Sequence, residues 1–220
     1  MLTVHHLNNS RSQRVLWLLE ELGVAYGIVR YQRQADMRAP KELRAIHPLG
    51  KSPVITDGGN TIAESGAIVE YIVGTYGNGR LIPPANAERL RYTYWLHYAE
   101  GSAMPPLLLK LLFTLMPKRA PALLRPLVRK VSSQALTTLV NPQLKQHMAF
   151  WEEELAKSDW FAGPEFTAAD IQMSFPLEAA AARGGLEQGH PRAMAFLDRI
   201  HARPAYQTAL QKGGPYAVGR

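Results

Sequence analysis

The start of the chain places a helix between two strand-forming runs, and this order restricts the fold more than any other feature of the sequence. Residues 2–7 favour a strand, and residues 12–22 repeat apolar side chains at helical spacing before Gly23, a residue that commonly ends helices in the left-handed conformation. Residues 25–31 return to a strand pattern. Strand, helix and strand in this order predict two parallel strands joined by a right-handed crossover, and therefore an α/β sheet.

The same alternation continues through three more elements and a final helix. Residues 39–46 predict a short helix with Pro40 near its start. Residues 54–56 and 61–63 predict two strands joined by an Asp-Gly-Gly-Asn turn, and residues 65–76 predict a helix that ends at Gly77. The predicted order up to residue 80 is therefore βαβαββα.

Beyond residue 80 the sequence offers no convincing strand. A proline-marked linker at residues 81–86 precedes four helical patterns, at residues 87–116, 120–155 (interrupted at Asn141 and Pro142), 168–182 and 191–202. We therefore expect an α/β domain over residues 1–80 and an all-helical domain over residues 87–220. Within the second domain, Thr167 and Asp170 have the spacing of a capping box.

The chain contains no cysteine, which excludes disulfides, a cysteine nucleophile and cysteine-based metal sites. Any thiol chemistry must use a thiol carried by a ligand. Metal-binding, phosphate-loop and serine-hydrolase motifs are also absent, and His5 and His6 are adjacent in a predicted strand, where their side chains point to opposite faces and cannot share a metal ion. We expect no metal cofactor.

The N-terminus does not have the pattern of a secretory leader, and the most apolar segment, residues 104–116, is shorter than the ~18 residues that a membrane-spanning helix needs. We therefore expect a cytoplasmic protein. The net charge of +7 comes from residues 101–151, which hold seven basic residues and no acidic one. Such a field attracts anions, but leucines lie between the charges, and amphipathic helices with a solvated basic face are the simpler interpretation. No aromatic residues alternate with the charges, so we expect neither a nucleic-acid nor a membrane partner. Attachment of this basic region to a membrane or a nucleic acid is the weaker alternative, and salt-sensitive binding would support it.

Candidate functional residues lie near the ends of elements in the first domain. Ser10, Arg11, Ser12 and Arg14 occupy the turn before the first helix, where free N–H groups favour an anion, although Ser12 is equally suited to cap that helix. Ser52 and Pro53 precede a strand, where a cis bond would leave the Ser52 backbone free for a ligand, but an X–Pro bond is usually trans. Glu64 and Ser65 open the third helix as a second anion site or as a plain cap. Lys51 taken alone predicts only a solvated side chain.

Taken together, these segments resemble the cytosolic glutathione transferases, most closely their serine-type bacterial and fungal members. Residues 10–23 (SRSQRVLWLLEELG) are similar to the first helix of that family, and residues 47–54 (HPLGKSPV) to its cis-proline segment. Residues 63–68 (AESGAI) are similar to its γ-glutamyl site, and residues 166–171 (FTAADI) to the capping motif of its second domain. The resemblance spans nearly the whole chain and implies a thioredoxin-like first domain followed by a helical one.

The resemblance also implies roles for single residues. Ser10 matches the serine whose hydroxyl donates to the glutathione sulfur, and Lys51 a lysine at the glycyl end. Ser52 matches the residue whose backbone pairs with the cysteinyl part, Pro53 the cis-proline, and Glu64 with Ser65 the pair that holds the γ-glutamyl group. Ser52 departs from the pattern, because the family more often has valine there.

The implied activity is conjugation of glutathione, as co-substrate, to an apolar electrophile held between the domains. Four residues are candidates for the wall of that cleft: Leu7, Asn9, Met104 and Leu108. The resemblance implies a homodimer, and aromatic residues around Trp95, Tyr98 and the third helix offer a symmetric contact surface. The alternative is a non-catalytic binding protein with the same fold, since fold does not determine function. An intact set of tripeptide-binding residues argues against that alternative.

Overall fold

The computed structural model describes residues 1–34 and 38–218; the last two residues of the expected second domain lie outside this part. The first half contains a mixed four-stranded sheet in the order β2-β1-β3-β4, and its strands are β1 Thr3–Leu7, β2 Gly27–Tyr31, β3 Val54–Asp57 and β4 Asn60–Ala63. Strand β1 pairs parallel with β2 and antiparallel with β3, and β3 pairs antiparallel with β4. The predicted parallel unit is therefore confirmed.

Ten α-helices accompany the sheet in the described residues. Two lie among the strands, α1 Ser12–Leu22 and α2 Lys41–Ile46, and α3 Ser65–Tyr76 directly follows the last strand. Seven more come after α3: α4 Asn86–Tyr98, α5 Met104–Arg119, α6 Arg125–Ala135, α7 Asn141–Glu154, α8 Ala168–Arg183, α9 Pro191–His201 and α10 Pro204–Gly213. The order βαβαββα followed by helices alone agrees with the prediction. Gly23 ends α1 at φ 65°, as the sequence predicts.

Two π-helical stretches join neighbouring helices. Ala99–Ala103 connects α4 to α5, and Leu136–Val140 connects α6 to α7. Each stretch lies directly before prolines near the start of the next helix, which lack an N–H and whose rings collide with a carbonyl four residues earlier. The interruption predicted at Asn141 and Pro142 is thus a widened turn in a continuous helical run rather than a break.

One apolar core runs from the sheet into the helices. Its largest fully buried side chains include Trp17 of α1, Trp95 of α4, Trp151 of α7 and Phe196 of α9. Helix α8 is buried along most of its length and packs against α1, α3 and α4. Among residues 1–34 and 38–218, no helix is both long and apolar enough to cross a membrane.

Two expectations need correction. Helix α10 was not predicted, although it packs closely against α1. Trp95 and Tyr98 do not form a contact surface, because they are only 1% and 8% exposed and pack inside the helical core on Phe150, Trp95 stacked and Tyr98 edge-on. The aromatic spacing in α4 therefore reflects core packing, while Leu90 and Tyr94 of the same helix are exposed.

Candidate functional site

The predicted site residues gather around one cavity of about 280 Å³. Its wall combines the segment before β3, the start of α3, the turn before α1 and the π-helical stretch after α4. The lining residues are Arg11, His47, Leu49, Lys51, Ser52, Pro53, Ala63, Glu64, Ser65 and Glu100. Five of the six predicted site residues thus face a common space, the exception being Ser10.

The bond between Ser52 and Pro53 is cis. Among the described residues, the N–H and C=O of Ser52 bond to no other main-chain group, so both remain available to a ligand. The Ser52 hydroxyl lies 3.2 Å from the Ser10 hydroxyl and donates to the carbonyl of His5 at 3.4 Å. Lys51 is exposed at the cavity wall.

Glu64 and Ser65 bring a helix N-terminus to the opposite wall. Glu64 adopts φ 71° and ψ 127°, a conformation that is costly for a residue with a side chain and that recurs at functional sites. No side chain caps the first turn of α3, so its N–H groups can receive a carboxylate. Ser65 is buried, and its hydroxyl accepts a hydrogen bond from Arg14 at 3.2 Å.

Ser10 lies behind the cavity wall. It is 4% exposed, its Oγ lies 2.8 Å from Ser12 Oγ, and it accepts the backbone N–H of Ser12 at 3.2 Å. Among the described residues, the other hydrogen-bond partner of its hydroxyl is Ser52, which does line the cavity. A ligand thiol placed beside Ser52 is therefore next to the Ser10 hydroxyl.

The expected capping role of Ser12 is wrong. Helix α1 has Arg11 at its N-cap position and no side-chain cap. Ser12 instead points inwards, with its Oγ 2.9 Å from Nδ1 of His6 and 3.4 Å from the carbonyl of Leu7. The spacing Ser-x-Ser is compatible with a Ser12 that caps α1 and with a Ser12 that points inwards. The position of β1 beneath the turn, which brings His6 to Ser12, decides between the two.

His6 is a member of the site that the sequence did not reveal. Burial lowers the pKa of His6 to about 4, against the opposing effect of a hydrogen bond to the backbone of Gly213. The ring is therefore neutral near pH 7. With its single proton donated to Gly213, Nδ1 is left to accept the hydroxyl proton of Ser12. The opposite orientation of His5 is confirmed by its contacts with Tyr31 and Thr56.

Glu100 was missed as well, because a single glutamate in a helical pattern carries no recognisable signal. It accepts hydrogen bonds from Arg11 at 2.8 Å and from Arg14, and both guanidinium groups lie over the ring of Phe175. Burial alone would raise the pKa of Glu100, but the two arginines overcome this effect and lower it. The ion-pair cluster connects the turn before α1 to the helical half of the chain.

A second cavity of about 340 Å³ adjoins the first and shares Arg11, Leu49, Lys51 and Ser52 with it. Its wall is strongly cationic, since it also includes Arg33, Arg38 and Arg44. Of the four expected wall residues, Leu7 lines this cavity, whereas Asn9, Met104 and Leu108 line neither of the two. Met104 is nearly buried and Leu108 is half exposed on α5.

Comparisons with known proteins agree with this geometry. Residues 1–74 match the family "Glutathione S-transferase, N-terminal domain", and residues 115–204 match "Glutathione S-transferase, C-terminal domain". Glutathione S-transferase 3 of Schizosaccharomyces pombe is 35% identical over 96% of this chain and 88% of the relative.

Solved structures give the same result. A glutathione S-transferase from Actinobacillus pleuropneumoniae is 29% identical, with a TM-score of 0.80 over 100% of this chain and 96% of the other. A theta class glutathione S-transferase from Xanthomonas axonopodis pv. citri, solved with glutathione bound, is 27% identical, with a TM-score of 0.72 over 94% of this chain and 96% of the other.

Proposed function

Because the chain belongs to the glutathione S-transferase family, we propose that it conjugates the thiolate of bound glutathione to an apolar electrophile, and that Ser10 stabilises this thiolate. The observation that carries the proposal is the 3.2 Å contact between the hydroxyls of Ser10 and Ser52 at the edge of the cavity. This contact supports a position for the glutathione sulfur beside Ser10, next to the N-terminus of α1. Glutathione is the co-substrate, as the glutathione-bound relative supports.

The proposed binding mode uses both cavities. The first receives the γ-glutamyl group, with Glu64 facing its amino group and the N-terminus of α3, including Ser65, facing its carboxylate. The backbone of Ser52, held beside Pro53, pairs with the cysteinyl part. The cationic second cavity, with Lys51 at its border, suits the glycyl carboxylate.

The proposed chemistry requires only stabilisation of an anion. A cysteine thiol has a pKa near 8.5, and lowering it to about 6.5 requires roughly 2.7 kcal/mol. A hydroxyl donating to a charged acceptor supplies roughly 1.5–3 kcal/mol, and a helix N-terminus up to about 1–2 kcal/mol. Ser10 and α1 are therefore sufficient without a metal ion or a general base. The serine acts as donor, because its own proton is far too weakly acidic for it to be the base.

The experiment that tests the proposal is the pH dependence of conjugation to an aryl halide. In Ser10→Ala we expect the pH midpoint to rise toward that of free thiol and the rate near pH 7 to fall roughly 10- to 150-fold, the equivalent of a 1.5–3 kcal/mol contact. Glutathione should still raise the melting temperature of this variant, because the residues that bind the tripeptide are unchanged.

Ser52→Val is the matched control, since it removes the neighbouring hydroxyl and keeps the backbone that pairs with the ligand. We expect its pH midpoint to stay near that of the wild type. If Ser52→Val shifts the midpoint and Ser10→Ala does not, the donor is Ser52. If neither variant shifts it, the serine mechanism is wrong and the Arg11 guanidinium at the cavity wall is the next candidate.

We further propose that residues 1–80 and 87–220 form two domains, supported by the stretch without helix or strand between the end of α3 at Tyr76 and the start of α4 at Asn86. The cytoplasm remains the proposed location, supported by membership of the cytosolic family.

A homodimer is proposed on the same ground, with the exposed Leu90 and Tyr94 of α4 at its contact surface. Sedimentation should give twice the chain mass of 24.5 kDa at micromolar concentration, and a monomer there would reject the dimer.

A further inference from the structure

The hairpin formed by α5 and α6 projects from the core. Between residues 108 and 131 no residue is buried, although both flanking segments contain buried side chains. We call residues 108–131 the basic hairpin. The described residues contain thirteen large apolar side chains that are exposed, and seven of them lie in this short segment: Leu108, Leu112, Met116, Leu123, Leu124, Leu127 and Val131. Single exposed leucines are ordinary, but such a concentration marks an interaction surface.

The exposed apolar residues follow the helical repeat. Leu108, Leu112 and Met116 are four residues apart and form one stripe on α5. On the second arm Leu123, Leu127 and Val131 repeat the same spacing, starting just before α6 begins at Arg125. Each arm therefore carries a continuous apolar stripe that its own chain leaves uncovered.

The basic hairpin also carries charge of only one sign. It contains six cations and no acidic residue: Lys110, Lys118, Arg119, Arg125, Arg129 and Lys130. Within the part of the chain that the structure describes, none of the six is in a salt bridge. Their charge is thus available to an external anion.

A groove of about 500 Å³ lies on the basic hairpin and combines both properties. Phe113, Pro117 and Leu136 contribute apolar surface, and Lys118, Arg125 and Arg129 contribute charge. Ser132 lines the same groove; it is 1% exposed, and its hydroxyl has no hydrogen-bond partner among the described residues. A buried hydroxyl without a partner beside three cations suits a phosphate oxygen.

We propose that the basic hairpin docks this protein on the surface of an anionic phospholipid membrane. The leucines enter the boundary between headgroups and acyl chains, and the cations contact the headgroup phosphates, which is the arrangement of an interfacial amphipathic helix. The sequence favoured amphipathic helices with a solvated basic face and left membrane attachment as the weaker alternative, because it does not show that the leucines are uncovered.

The charge and the composition of the basic hairpin favour an anionic membrane over two other partners, a second copy of this chain and a nucleic acid. A second copy docked through the same hairpin would bring six cations against six, with no acidic residue in residues 101–151 to relieve the repulsion. A nucleic acid would match the charge, but it would leave the leucine stripes in water, and the basic hairpin contains a single aromatic side chain, Phe113, rather than the series that stacks on successive bases. An anionic lipid surface covers both the stripes and the charges.

Vesicle flotation tests the proposal with the full chain. We expect the wild type to bind vesicles of equimolar phosphatidylcholine and phosphatidylserine at low salt, to bind phosphatidylcholine vesicles weakly, and to be released at high salt, where screening is strong. Arg125→Gln with Arg129→Gln should lower the partition coefficient about fivefold for each charge removed. Leu123→Ser with Leu127→Ser should lower it about tenfold or more.

Two matched controls remove an exposed apolar side chain and an exposed cation elsewhere on the surface: Val29→Ser on β2 and Lys41→Gln on α2. Both should bind vesicles like the wild type, and the hairpin variants should retain wild-type conjugation in free solution, which shows that they are folded. Absence of binding to the anionic vesicles at low salt would overturn the proposal. An equal loss of vesicle binding in the control variants and the hairpin variants would also overturn it. So would an oligomer larger than a dimer that dissociates in the hairpin variants, because the apolar stripes would then be a contact surface for another copy of the chain.

Discussion

At the scale of single residues, the buried ring of His6 controls the hydrogen bonds of the turn before α1. Its Nδ1 lies 2.9 Å from the Ser12 hydroxyl, which lies 2.8 Å from that of Ser10. Burial, aided by the nearby charge of Arg30, keeps the pKa of His6 at about 4, so the ring is neutral at neutral pH and its Nδ1 accepts from Ser12. A protonated ring would turn the Ser12 hydroxyl toward other acceptors and alter the environment of Ser10.

This arrangement predicts a loss of stability in mild acid. In the unfolded chain His6 has a pKa near 6.5, so between pH 6.5 and about 4 the unfolded state binds a proton that the folded state does not. Stability from this residue is therefore full above pH 6.5 and falls as the pH falls. We expect His6 alone to lower the free energy of unfolding by about 2 kcal/mol from pH 7 to pH 5, measured by urea denaturation.

The variant His6→Gln isolates this effect, because the amide can still accept from Ser12 but does not titrate. Its loss of stability from pH 7 to pH 5 should be smaller than that of the wild type by the same amount. His97→Gln changes an exposed histidine of α4 and should behave like the wild type. Equal pH dependence in all three proteins would show that the His6 ring takes up its proton in the folded state as readily as in the unfolded chain.

At the scale of elements, local patterns predicted those parts of the fold that local chemistry determines. The four strands and α1 to α3 carry alternation, helical repeats and terminal glycines, and the order βαβαββα is confirmed. The capping box at the start of α8 is also confirmed: the carboxylate of Asp170 accepts the N–H and the hydroxyl of Thr167 and the N–H of Phe161. These motifs act within a few residues and are visible without a tertiary structure.

Elements that depend on distant contacts were not predicted. Helix α10 has proline in its first turn and glycine after its end, but its apolar residues are few, and its stability comes from packing on α1. The site shows the same division. The turn, the cis-proline segment and the start of α3 could be found from sequence, and their assigned roles stay predictions. His6 acquires its contacts only when β1 packs beneath the turn and beside the end of α10, and Glu100 only when the stretch after α4 packs against α1.

At the scale of the whole molecule, α1 is the element that both halves share. Arg203 and Lys212 at the two ends of α10 pair with Glu21 and Glu20 of α1, at 2.5 and 2.6 Å. Gly213 approaches α1 so closely that a Cβ there would lie 2.2 Å from the Gln13 side chain. On the other side of α1, Glu100 pairs with Arg11 and Arg14. The sheet half of this glutathione transferase is thus held to the helical half through the helix that also borders the catalytic turn.

The Glu100 link can be tested by removing its charge while keeping its shape. In Glu100→Gln the guanidinium of Arg14, which is 2% exposed, loses its anionic partner. An unpaired buried charge is costly, and since the Glu100 side chain is 30% exposed, we expect a loss of about 2–3 kcal/mol in the free energy of unfolding at pH 7. Glu153→Gln replaces an exposed glutamate of α7 and should change stability by less than about 0.5 kcal/mol.

The pH dependence of the same comparison gives an independent check. The arginines lower the pKa of Glu100, so the stability that its charge contributes is present above the ordinary glutamate range and disappears as the pH falls through the folded-state pKa. The difference between the wild type and Glu100→Gln should therefore shrink in strong acid, where the wild-type carboxyl is also neutral. A difference at pH 7 no larger than that of Glu153→Gln would mean that Arg14 is held by Ser65 and the carbonyl of Gln172 alone, and that Glu100 does not join the two halves.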